Sequence, residues 1–64
     1  MNEVKIEFGK AWYIYYKTDE DTADWAVDEA LNCMKNNGIN VDNLNPVAAI
    51  LRDENGNDID SVTY

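Results

Sequence analysis

Two spacings of apolar residues divide this chain. Over residues 19–38 the spacing is helical: Ala23, Val27, Ala30, Leu31 and Met34 fall at i, i+4, i+7, i+8 and i+11. At 3.6 residues per turn these make one stripe, with Ala26 and Cys33 on its margin. Asp24, Asp28, Asn32, Lys35 and Asn36 take the other side. Thr18, Asp19 or Asp21 offers an N-cap oxygen, and acids in the first turn suit the positive end of the helix dipole. Asn37-Gly38 predicts the stop, because glycine reaches the left-handed C′ conformation without a Cβ clash, and Ile39 then folds back onto the last turn. Trp25 breaks the stripe. It lies opposite the apolar residues among Asp24, Asp28, Glu29 and Asn32. Either it lies flat on the first turn, or it meets a partner, since Trp is enriched at binding hot spots.

On both sides of the helix the period is two. Val4, Ile6 and Phe8 alternate with Glu3, Lys5 and Glu7, the pattern of a half-buried strand. Gly9-Lys10 suits a two-residue turn, and Ala11–Lys17 is rich in aromatic and β-branched types. That loop pairs Phe8 with Ala11, Ile6 with Tyr13 and Val4 with Tyr15. It sets Trp12, Ile14 and Tyr16 on the opposite face, against Glu7, Lys5 and Glu3, with long side chains such as Lys5 lying over the aromatics. A single long strand bulged at Gly9 is the rival. After the helix, Ile39–Pro46 carries the Asn, Asp and Pro of a connecting loop, with Val41 and Leu44 pinning it to the core edge.

Val47–Tyr64 predicts a second hairpin. A type I turn over Glu54-Asn55 with Gly56 left-handed pairs Arg52 with Asp58 and Leu51 with Ile59. A two-residue loop at Asn55-Gly56 would instead set Asp53 opposite Asp58, like charge against like. The chosen register turns Val47, Ala49, Leu51 and Ile59 inward and Ile50, Val62 and Tyr64 outward. The fold class expected is α+β, ββαββ, with one helix on a four-stranded, mostly antiparallel sheet. It forms one domain over residues 1–64. The first strand lies beside either the third or the fourth.

Composition narrows the chemistry. A chain of 64 residues has a small core, since domains of this size bury only about 60% of their unfolded surface. One Cys and no His leave no internal disulfide and no zinc site. The run MNEVKIEF lacks the apolar stretch of a signal peptide and no later run reaches membrane-spanning length, so a cytoplasmic protein is expected. Thirteen acids against 5 bases give a net charge of −8. That opposes direct nucleic-acid binding and anionic membrane surfaces. Six of the acids, Asp19, Glu20, Asp21, Asp24, Asp28 and Glu29, fall within one short run. They are either a solvated helix face or a surface that steers a basic partner.

Asp53-x-Asn55-x-Asn57 has the opening of a calcium loop, but Asp58 stands where that loop needs Gly and Tyr64 where it needs Glu. A hairpin tip is the better reading. No His base, no Gly-rich phosphate loop and a Cys33 expected to be a small buried thiol argue against an enzyme, and no metal or cofactor is expected. What remains is a small acidic protein–protein interaction module. It binds a protein partner or forms a homodimer through an aromatic outer sheet face of Trp12, Ile14, Tyr16, Ile50, Val62 and Tyr64, through Trp25, or through both. The alternative is a DNA-mimic-like inhibitor that offers its acids to a nucleic-acid-binding protein. The dimer version has a direct check in solution mass, repeated with Trp12→Ser and Ile14→Ser. A wild type that stays monomeric at high concentration removes it.

Overall fold

A computed structural model describes all 64 residues, Met1–Tyr64. The elements follow the order β1 (Asn2–Glu7), β2 (Tyr13–Thr18), α1 (Ala23–Asn36), β3 (Ala48–Arg52) and β4 (Asp58–Thr63). The four strands form one sheet, ordered β2-β1-β3-β4, with every neighbouring pair antiparallel. This is the expected ββαββ, α+β arrangement, with β1 beside β3. β2 and β3 therefore run parallel to each other with β1 between them, and α1 crosses over β1 to join them.

The core is the interface between α1 and one sheet face. Val4 and Ile6 from β1 and Ala49 and Leu51 from β3 supply the sheet side; Ala23, Ala26, Val27 and Ala30 supply the helix side. Burying each of the large aliphatic chains is worth about 1.5–3 kcal/mol. Three of the four helix residues are alanines with no exposed surface, so the helix backbone lies close to the sheet. That close approach explains a shift from the expected stripe. Ala26 is at its centre rather than its margin, and the larger Leu31 and Met34 are displaced to its half-buried flank.

The helix ends as its sequence predicts. Gly38 takes φ +83°, its N–H donates to the Lys35 carbonyl at 3.1 Å, and the Ile39 N–H donates to the Met34 carbonyl at 3.0 Å. The start is different. The N-cap is Thr22, and its side chain makes no capping bond. The Ala23 N–H donates instead to Asp60 Oδ2 of β4 at 2.6 Å. Of the three expected caps, Thr18 belongs to β2, and Asp19 and Asp21 precede Thr22.

Two registers differ from expectation, each by one residue. The Phe8 N–H donates to the Trp12 carbonyl at 2.8 Å, so the first loop is the three residues Gly9–Ala11, not the two residues Gly9-Lys10. Val4 then pairs with Tyr16 and Ile6 with Ile14. A one-residue slip reverses every side chain of a strand. Ile14 and Tyr16 therefore join Val4 and Ile6 beneath the helix, and Tyr13 and Tyr15 face the other way. The longer loop sets one isoleucine and one tyrosine beneath the helix, where the shorter one would set two tyrosines there. It also sets Lys17 opposite Glu3, 3.7 Å apart.

In the second hairpin the tip is as expected. The Gly56 N–H donates to the Asp53 carbonyl at 3.0 Å, Gly56 has φ +85°, and Arg52 pairs with Asp58. A bulge then intervenes. Leu51 pairs with Asp60 rather than Ile59, leaving Ile59 as the extra residue. Beyond it Asp60 and Val62 turn towards the helix, and Val62 packs on the core. Ile59 and Val47, expected inside, are exposed.

Because the helix N-terminus is capped from another strand, Asp60→Ala should lower the unfolding free energy by about 1 kcal/mol, as loss of an N-cap does. Asp60→Asn keeps an acceptor but loses the charge, and should cost less. Urea denaturation of the three proteins measures this; coincident midpoints would show that the contact carries no weight.

Candidate functional site

The buried alanine face of α1 decides what the helix shows to solvent. With Ala23, Ala26 and Ala30 against the sheet, Trp25, Asp28 and Asn32 project away from it. Trp25 is 62% exposed. Its backbone N–H donates to Asp24 Oδ1 at 2.9 Å, a local contact in the first turn. The side chain is the largest on this surface, and it borders two grooves that flank the helix.

The first groove, about 380 Å³, lies on the β4 side. Asp24, Trp25, Asp28, Leu31, Pro46 and Tyr64 line it. Tyr64, one residue past β4, is held there by its N–H, which donates to the Val47 carbonyl at 3.0 Å. Burial pushes the Tyr64 phenol above its ordinary value, and the negative charges of Asp24 and Asp28 push it further. The second groove, about 440 Å³, lies on the β2 side between Tyr16 and the acids Glu20 and Glu29.

A buried hydroxyl organises the second groove. Thr18 is the only buried polar residue. Its Oγ1 donates to Glu29 Oε1 at 2.9 Å and accepts from the Glu20 N–H at 3.1 Å. Desolvation raises the Glu20 carboxyl above its ordinary value, and the neighbouring charge of Glu29 raises it further. Tyr16 is pushed up to about 12, first by burial and then by the neighbouring Cys33 and Glu29 side chains. Cys33 itself is exposed, against the expectation of a small buried thiol. The helix narrows onto the sheet through its alanines, which leaves residue 33 outside the contact.

The residues expected to form one partner-binding face are dispersed. Ile14 and Tyr16 lie half-buried under the helix. Trp12 sits between the first loop and β2 with its ring edge-on to Phe8, centroids 4.7 Å apart. Tyr64 is on the helix side, and Ile50 alone of that set lies on the outer sheet face, where it pairs with Lys5. The outer face is instead mixed. It carries Tyr13 and Tyr15, with Lys5 Nζ 4.5 Å from the Tyr13 ring centroid. Ion pairs Lys5–Glu7, Lys17–Glu3 and Arg52–Asp58 cross it. Lys5 does cover an aromatic ring, though a different one from those expected. What the structure does bring together is Trp25 with Tyr64, around one groove, beside Asp24 and Asp28. The role of Leu31 and Pro46 in that groove had no signal in the sequence, because it depends on where the loop after α1 returns.

The hairpin tip holds its own carboxylate. Asp53 Oδ1 accepts from the N–H groups of Asn55 and Asn57, each at 2.9 Å. These bonds, that of Asn57 foremost, hold the Asp53 carboxyl below the usual aspartate value. The acceptor a calcium ion would use is committed to the turn. No group of three or more acidic or thiol side chains is placed to hold a metal ion, and no helix is long and apolar enough to cross a membrane.

Set against known proteins, the chain matches no family model, no curated protein and no solved structure.

Tyr16 provides a check on the geometry of the second groove. The fold favours its neutral phenol, so the associated stability is present below the ordinary value of 10.0 and is lost as the pH rises through about 12. Stability measured across this alkaline window should fall, and Tyr16→Phe should flatten the fall. Absorbance titration of the tyrosinates should show the step near 12 disappearing in the same variant. A step that persists would place the phenol outside the groove.

Proposed function

We propose that this chain is a non-enzymatic protein–protein interaction module that engages a basic partner through the outward side of α1, with Trp25 as its anchor. The observation that carries this reading is the exposed Trp25 ring, set among carboxylates and bordered by two grooves. A large ring left in water is the kind of side chain that becomes energetically dominant once a partner covers it. The surrounding acids, on a chain of net charge −8, would attract a basic surface and speed encounter.

The outer sheet face is the weaker candidate. Its aromatic residues are two tyrosines interleaved with paired charges, which leaves no continuous apolar patch. Self-association is weaker too, because two copies of the acidic side repel. A second reading rests on the six acids alone: an inhibitor that occupies the basic groove of a nucleic-acid-binding protein.

Salt and one substitution separate the two readings. For an anchored interface, Trp25→Ala should weaken partner binding by about 2 kcal/mol or more, while rising salt has a modest effect. For acidic mimicry, salt should abolish binding, because exposed charges are screened within roughly 8 Å at physiological ionic strength, and Trp25→Ala should matter little. The measurement is affinity capture from the source cell at low and high salt, followed by titration of the purified partner. A partner indifferent to Trp25→Ala would sink the anchored reading.

A further inference from the structure

The groove between α1 and the end of β4 has a composition that selects its occupant. Its floor and walls are apolar or aromatic: Trp25, Leu31, Pro46 and Tyr64. Its polar groups are Asp24 and Asp28, four residues apart and so neighbours on one helix face. Neither carboxylate has a cationic partner in the chain. The ion pairs that form use Lys5, Lys17, Arg52 and the N-terminal amine, and all are made to other acids. Burial first, and then the charges of these two aspartates, raise the Tyr64 phenol that borders them.

An uncharged apolar ligand would leave the two carboxylates beside a dehydrated surface, which is costly. An anion would be repelled. A compact, strongly hydrated ammonium could meet a carboxylate but makes little use of the rings. A guanidinium does both. It is planar, weakly hydrated, stacks on aromatic faces and bonds carboxylates with its edge.

We propose that this groove is a recognition site for an arginine side chain presented by a partner protein, with the guanidinium stacked on Trp25 or Tyr64 and its N–H groups donating to Asp24 and Asp28. The inference rests on the module reading, and it names the chemistry that module selects. Arginine is bound as a side chain on a peptide backbone, so the apolar stem lies along Leu31 and Pro46.

The test uses a short blocked peptide with one arginine, and the same peptide with citrulline, which has the same shape without the charge. A lysine peptide is the third probe. Chemical shifts of the labelled protein are followed during titration. The expected result is shift changes confined to Asp24, the Trp25 indole, Asp28, Leu31 and Tyr64 with the arginine peptide, weaker ones with lysine and none with citrulline. Asp24→Asn, Asp28→Asn and Tyr64→Ala should each weaken binding by roughly fivefold. Asp19→Asn, which removes a charge outside the groove, should not. Three results would overturn the proposal: equal response to citrulline, shifts spread evenly over all six acids, or no response at the groove.

The proposal can also fail alone. A partner lost on Trp25→Ala but unaffected by Tyr64→Ala and Asp28→Asn would preserve the module and remove the arginine site. Arginine binding in the groove, with a partner indifferent to Trp25→Ala, would do the reverse.

Discussion

The contact between the Asp60 carboxylate and the first N–H of α1 ties the two layers of this molecule together. A helix begins with unsatisfied N–H groups and a partial positive charge. Here the answering acceptor comes from β4, the far strand of the sheet, rather than from the residues just before the helix. For that to happen an aspartate must stand in the row of β4 that faces the helix, a row otherwise used for apolar contact. The bulge at Ile59 puts it there. The same one-residue offset turns Val62 onto the core and brings Tyr64 to the side of the helix. The groove around Trp25 and Tyr64 and the helix cap thus share one origin, the bulge in β4.

Small side chains supply the second constraint. Ala23, Ala26 and Ala30 let α1 sit close on β1 and β3. A close, narrow contact buries little of the helix surface. Leu31 and Met34 are left half-buried, Cys33 exposed, and Trp25 fully on the solvent side. The grooves on both flanks are the space left between a slender contact and a wide sheet.

Charge then separates by side. Lys5, Lys17 and Arg52 lie on the outer sheet face and each meets an acid there. The acids of residues 19–29 gather around the start of the helix, where the dipole favours them but where no basic side chain forms an ion pair with them. One side of the molecule is close to electrically balanced. The other holds most of the uncompensated negative charge together with the most exposed aromatic ring.

Features set by a few neighbouring residues could be read directly. The helix exit at Asn37-Gly38-Ile39, the type I turn over Glu54-Asn55 with Gly56 left-handed, and the succession of five elements all follow from local backbone preferences and period. The exposure of Trp25 follows from its angle on the helix. The pairing of Arg52 with Asp58 followed from the turn, but the register of the first hairpin and that beyond Arg52 could not be read, because alternation is identical for either face and a single extra residue reverses it. What chose between Tyr13 and Ile14 beneath the helix, or between Ile59 and Asp60, was the energy of contacts with α1. Those contacts exist only when the helix is already on the sheet. The strands and helix were therefore properties of the chain itself. The meeting of Tyr64, Trp25 and two unpaired aspartates was decided by long-range packing and by an N-cap supplied from 37 residues away.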